Sequence, residues 1–183
     1  GGGTQTSTTS FAPETGLVNP VTGEEAPNGE IPGGWVEGLV EDAEITIEAN
    51  PDDLNPSNCA ALLRLRINRL SIGIQSMDDG LLKLLGRRHD STQAVNAVKS
   101  AQDAGFTNIN LDLMYGLPRQ TMSQWQNTVQ KVTSLRPEHL SLYCLTLEEG
   151  TPLERQVRLG EMPQPDPDLA ADMYLLAEDL LGH

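Results

Sequence analysis

From Glu44 onward, apolar and polar side chains alternate in four short runs. This period of two predicts strands at Glu44 to Asn50 (EITIEAN), Arg69 to Gln75 (RLSIGIQ), Asn108 to Met114 (NINLDLM) and His139 to Leu145 (HLSLYCL). Each run is followed by a helical pattern. Asn55 with Pro56 reads as an N-cap and first turn, after which Cys59, Leu62 and Leu63 share a face. Asp78 to Leu85 reads as a short helix. Asp90 or Ser91 then caps a longer one with Ala94, Val95, Val98 and Ala101 in its stripe. Thr121 and Gln124 fit a capping box ahead of Met122, Trp125, Val129 and Val132, and a last helix from about Asp168 to Leu181 stacks Leu169, Met173, Leu176 and Leu180. Strands separated by helices imply βα units and a parallel sheet, because a parallel connection needs a crossover.

The two faces of that sheet differ. Ile45, Ile47, Leu70, Ile72, Ile74, Ile109, Leu111, Leu113, Leu140 and Leu142 form the apolar set that packs under the helices. The opposite set is polar on every strand: Thr46, Glu48 and Asn50, then Ser71, Gly73 and Gln75, then Asn110 and Asp112, then Ser141 and Tyr143. A filled barrel would favour branched aliphatics there, so a polar face suggests a lumen for water or a polar ligand. The alternative is one solvated face, as antiparallel sheets have, which the intervening helices disfavour. Glu48, Gln75 and Asp112 fall late in successive strands, at the end where α/β folds bind ligands.

Composition changes the picture at the front of the chain. The first 43 of the 183 residues hold seven acidic residues, no Lys or Arg, nine glycines and four prolines, the make-up of a loop or disordered arm. The domain organisation read here is therefore an arm over residues 1–43 and an α/β core over 44–183. A net charge of −14 makes nucleic acid or an anionic membrane a poor partner, and no apolar run of about twenty residues could span a bilayer. Cys59 and Cys144 are too few and too distant for a zinc motif or a disulfide framework. Isolated thiols and the lack of a signal pattern suggest a reducing, cytoplasmic location, or an organelle if a targeting segment lies upstream of Gly1.

Several short motifs carry chemistry, each with a plainer reading beside it. Gly1-Gly2-Gly3-Thr4 lets a backbone approach a ligand closely, or is a linker remnant. Glu48, ahead of Asn50-Pro51, suits two ribose hydroxyls, or is solvated. Gly73 leaves room for a bulky ligand, and Gln75 can both donate and accept. Arg87 offers a fork for a carboxylate, although a surface cation near a helix end is commoner. Asp112, between Leu111 and Leu113, needs a partner, whether a ligand or a nearby loop. His89 and His139 read as satisfied or exposed histidines, and Cys144 as a core residue. No Walker loop, GxSxG elbow, HExxH or dinucleotide fingerprint is present.

Taken together, GGGT, EITIEANP, NRLSIGIQS, LLGRRH, GFTNINLDLMYGLPRQT and HLSLYCLTLEEGTPL resemble the radical S-adenosylmethionine enzymes of the oxygen-independent coproporphyrinogen III oxidase family. LTLEEGTPL resembles its haem chaperone branch in particular. The resemblance runs from Glu44 to about Leu181, plus Gly1 to Thr4. It implies a partial (β/α) barrel, open to a large substrate, with the adenosyl ligand across the carboxyl ends of the strands. It implies that Gly2, Gly3 and Thr4 hold the methionyl amino group, Glu48 and Gln75 the ribose side and Arg87 the carboxylate. Asp112 and Thr146 are implied to line the ligand further. The implied cofactors are S-adenosyl-L-methionine and a 4Fe-4S cluster, which reduces the sulfonium to give a radical that takes hydrogen from a porphyrinogen. In the chaperone branch the scaffold is implied to bind haem and pass it to an accepting protein.

Three departures qualify the resemblance. The CxxxCxxC cluster motif is not in this chain, and two cysteines cannot supply three thiolates. Residues 5–43 lack the apolar helix expected after the glycine loop, and the C-terminal part that separates oxidase from chaperone is missing. The chain thus reads as an internal fragment, inactive alone, marginally stable or prone to aggregate because four parallel strands leave two open edges. Outside the family, Glu48 and Asp112 as acid and base on a small polar substrate form a lower-ranked reading.

Overall fold

A computed structural model describes residues 42–182; Gly2, Gly3 and Thr4 lie outside the described residues. Four strands form one sheet in the order β1 (Thr46–Ala49), β2 (Arg69–Gln75), β3 (Ile109–Tyr115) and β4 (His139–Cys144). All three pairings are parallel, which removes the solvated antiparallel alternative. The helices are α1 (Pro56–Arg64), α2 (Asp79–Leu84), α3 (Ser91–Ala104), α4 (Met122–Ser134), α5 (Pro152–Arg158) and α6 (Pro167–Leu181).

The predicted helix starts are the observed ones because local hydrogen bonds fix them. The Asn55 carboxamide accepts from the Asn58 amide, Asp78 accepts from Leu81, and Asp90 and Thr121 complete reciprocal capping boxes with Gln93 and Gln124. The α3 helix stops at Gly105, whose φ of 110° is open to glycine. Two elements are additional to the sequence reading: a 3-10 turn at Pro51–Asp53 and α5, capped by Thr151.

The strand order is sequential, and the connecting helices pack over the apolar face, as the right-handed rule for parallel crossovers requires. On that face Leu70, Ile72, Ile74, Ile109, Leu111 and Leu113 are fully buried against Cys59, Ala94, Val98, Val129, Val132 and Met173. Ala97 and Thr128 join the buried faces of α3 and α4, while Val95 and Met122 sit at their margins. In α6 the centre of the buried face is Ala170, Met173 and Ala177, with Leu169, Leu176 and Leu180 partly buried around it. Trp125 is completely buried, stacks obliquely on Tyr115 and donates its indole N–H to the Met173 carbonyl at 2.7 Å. That bond satisfies the ring's one polar atom and ties α4 to α6.

Candidate functional site

A sequential strand order has no topological switch point, so no crevice opens in the middle of the sheet. It is on the sheet face that no described helix covers that the polar side chains collect.

At its centre lies a chain of hydrogen bonds across β2, β3 and β4. Ser71 Oγ donates to Asp112 Oδ2 at 3.0 Å, and Asn110 Nδ2 donates to Asp112 Oδ1 at 2.7 Å and to Ser71 Oγ at 2.8 Å. Ser141 Oγ in turn donates to Asn110 Oδ1 at 2.9 Å. The partner that Asp112 requires is therefore this side-chain group and not a loop. Pairing of Ser71 with Asn110, and of Asp112 with Ser141, puts these residues level with one another.

Nearer the carboxyl ends, β2 is irregular. The register with β3 shifts between Ile72 and Gln75, and Gln75 has φ 66°, a left-handed conformation that costs an L-residue energy. The Ser76 amide closes the turn onto the Ile74 carbonyl at 2.8 Å, and His89 Nε2 bonds the same oxygen at 3.2 Å. His89 is thus a satisfied, buried histidine, and burial holds its imidazole below the ordinary histidine range. His139 is exposed, as the sequence allowed.

Gly73 is crowded by the site's own groups and leaves no open passage for a ligand. A Cβ there would stand 2.9 Å from Gln75 Nε2 and 3.0 Å from Arg87 Nη2. Arg87 Nη2 donates to the Gly73 carbonyl at 3.1 Å and to Asn50 Oδ1 at 2.9 Å. One corner of the guanidinium fork is thereby committed, while Nε and Nη1 have no partner among the described residues. Asn50, a residue the sequence placed on the polar face without a role, is the brace, and its own amide donates to Asp53 at 3.3 Å. The neighbouring Arg88 pairs with Asp52 at 2.6 Å, holding the loop after β1 against the α2–α3 connection.

Glu48 is exposed on β1, opposite Ser71 in the pairing. Gln75, Arg87 and Asp112 are half-buried. Thr146 is exposed in the segment after β4, with no contact joining it to this group. The face so assembled has a cationic corner at Arg87, anionic corners at Glu48 and Asp112, and an amide at Gln75. β2 separates the strands of Glu48 and Asp112 by two strand spacings, roughly 10 Å. An acid and base pair works at about 6.5 to 9.5 Å, and Asp112 also lies two residues further along its strand than the level of Glu48, so this spacing does not favour the pair.

An iron-sulfur cluster does not fit these residues. Cys59 is buried in the core beneath α1 and Cys144 is exposed at the end of β4, rather than buried as the sequence suggested. Cys144 faces the helix side like Leu140 and Leu142, but β4 is an edge strand and leaves it uncovered. No group of three or more His, Cys, Asp or Glu residues able to hold a metal is found among the described residues. No helix among them is long and apolar enough to cross a membrane.

Residues 21–132 match the family described as the Radical SAM superfamily. The mouse (Mus musculus) protein named Radical S-adenosyl methionine domain-containing protein 1, mitochondrial, is 46% identical over 136 residues, 74% of this chain and 31% of that protein. Heme chaperone HemW of Lactococcus lactis subsp. lactis is 40% identical over 139 residues, 76% of this chain and 37% of that one. The solved Coproporphyrinogen III oxidase (HemN) from Escherichia coli, a radical SAM enzyme, superposes with a TM-score of 0.68 at 30% identity. That superposition covers 77% of this chain and 32% of the oxidase. The chain thus spans about a third of the length of the curated relatives it matches. Its parallel sheet with helices on one face is part of the (β/α) barrel that the oxidase shares.

Proposed function

Because the chain belongs to the radical SAM superfamily, we propose that its helix-free sheet face is the adenosyl-ligand part of a protein that handles haem or porphyrin. The observation that carries this reading is the convergence of Gln75, the braced Arg87 and the framed Asp112 on one face. S-adenosyl-L-methionine combines an amino-acid zwitterion with a sugar diol, and this donor set is complementary to both. Arg87 binds the carboxylate through Nε or Nη1, because Nη2 is already committed. Glu48 accepts from ribose hydroxyls and Gln75 supplies an amide beside them. Asp112 and Thr146 line the ligand further, and Gly2, Gly3 and Thr4 are the proposed contacts of its methionyl amino group. When bound, the ligand supplies hydrogen-abstracting chemistry, whose 4Fe-4S partner has no ligands among the described residues.

For the whole protein we favour haem binding and delivery to an accepting protein. The chaperone from Lactococcus lactis is 40% identical, against 30% for the oxidase structure. The oxidase reading is the second, supported by the superposition itself. The location in keeping with these relatives is the cytoplasm or an organelle such as the mitochondrion. The test is anaerobic reconstitution of the longer protein, followed by haem titration and an assay of porphyrinogen decarboxylation. Haem retained without decarboxylation supports the chaperone; decarboxylated product accompanied by 5′-deoxyadenosine establishes the oxidase. For the ligand site, calorimetry with S-adenosylhomocysteine should show weaker binding for Glu48→Ala, Arg87→Ala and Asp112→Ala, and unaltered binding would overturn the assignment.

A further inference from the structure

The hydrogen bonds around Asp112 have only one consistent direction. Asp112, as a carboxylate, can only accept, so Ser71 must give it its single hydroxyl hydrogen. Ser71 Oγ then has only lone pairs to offer Asn110, whose two amide hydrogens go to Ser71 Oγ and Asp112 Oδ1. This sets the Asn110 amide unambiguously, since the flipped amide would face its oxygen to the carboxylate. The amide oxygen is left to accept from Ser141, which it does. Every bond in the group points toward Asp112, and each carboxylate oxygen takes one bond that traces back to Asn110. At 2% exposed, Asn110 is out of reach of competing water, so these bonds fix the plane of the carboxylate. Asp112 is half-buried, and its remaining lone pairs are those available to the open face.

We infer that Asn110, with Ser71 and Ser141 behind it, is a positioning residue that orients the Asp112 carboxylate for a hydrogen-bond-donating group of the adenosyl ligand. The inference rests on the reading of Asp112 as a ligand contact. It adds that the ligand group there is a donor, a hydroxyl or an ammonium, because a carboxylate held by this frame has nothing to donate. A network that merely cross-linked three strands would affect stability alone.

A double-mutant cycle in affinity separates the two roles. S-adenosylhomocysteine binding to the 183-residue chain is measured by calorimetry for the parent, Ser71→Ala, Asn110→Ala, Asp112→Ala and the two combinations with Asp112→Ala, with a thermal melt of each. Ser71→Ala and Asn110→Ala should weaken binding about tenfold when Asp112 is present and less than twofold when it is absent. Equal weakening in both backgrounds, or none with Asp112 present, would overturn the positioning role. If Asp112→Ala leaves affinity unchanged, or the parent does not bind, the ligand-site reading itself fails. Should Asn110→Ala not fold, Ser71→Ala, which removes one hydroxyl, carries the same cycle.

Discussion

Replacing Gln75 by Gly should raise stability while lowering ligand affinity, and the two effects come from separable parts of the residue. With φ at 66°, Gln75 holds a backbone conformation that disfavours an L-residue by about 1 to 2 kcal/mol. Glycine adopts it without that cost but loses more freedom on folding, which offsets about 0.5 to 1 kcal/mol. The Gln75 side chain has no hydrogen bond among the described residues, so its removal subtracts little else. The net gain is up to about 1.5 kcal/mol, a rise of at most roughly 3 to 6 °C in the melting midpoint for a domain of this size. Binding should move the other way, because the amide beside Arg87 is gone: S-adenosylhomocysteine affinity falls about tenfold. Gln75→Ala is the control, losing the amide but keeping the strained backbone, so its affinity falls equally without the gain in stability. Urea denaturation of all three chains with parallel calorimetry decides the matter. A glycine variant less stable than the parent would refute the strain argument, and unchanged affinity would remove Gln75 from the ligand site.

Gly73→Ala should push aside the far ends of Gln75 and Arg87, which lie 2.9 and 3.0 Å from the added carbon, and so weaken binding about tenfold. Gln75 can swing aside, but moving Arg87 gives up its bonds to Asn50 and the Gly73 carbonyl, so stability should fall by about 1 to 2 kcal/mol; intact affinity would count against a ligand beside Gly73. Trp125→Phe removes a buried indole and its bond to Met173, and should lower unfolding free energy by about 2 to 3 kcal/mol in urea titration. The depressed His89 titration carries a sign. The unfolded imidazole takes up its proton near pH 6.5 and the folded one only below that, so stability is intact above about pH 6.5 and falls as the pH drops toward the folded value. His89→Gln should flatten that fall in urea midpoints compared at pH 7.5 and 5.5, and an identical fall would assign it to other groups. Among the thiols, exposed Cys144 should react with a disulfide reagent at once. Burial pushes the Cys59 thiol up, so it should react only on unfolding, and simultaneous reaction of both would contradict the packing.

The strands and long helices were legible because their signals are local. Asn55-Pro56, a cap at Asp90 or Ser91, and Thr121 with Gln124 are all short-range signals; the first and last appear where the pattern placed them, and Asp90 is the cap of the middle one, completed by Gln93. Alternation also showed that Ser71, Asn110, Asp112 and Ser141 share a face. It could not show that they bond in one direction, since that depends on side-chain distances across strands 31 to 41 residues apart. The brace between Asn50 and Arg87 spans 37 residues and was likewise invisible. The irregularity at Gln75 had no signal, because positive φ is the habit of Gly and Asn. The short helix α5 did have one: Thr151-Pro152 with Glu154 is a capping pattern, and Thr151 Oγ1 accepts from the Glu154 amide. Cys144 was misjudged because period two assigns a face but does not say which strand stands at the edge.

The indole of Trp125 grips α6 at a peptide carbonyl near its middle rather than at a side chain. A helix ordinarily frays inward from its ends, one turn after another. Here, detaching the middle of α6 would strand an N–H inside the core, so inward fraying meets a threshold at Met173. Amide protons on α6 before that residue should therefore exchange in step with those of α4, as one cooperative unit, and only the turns beyond it should open independently.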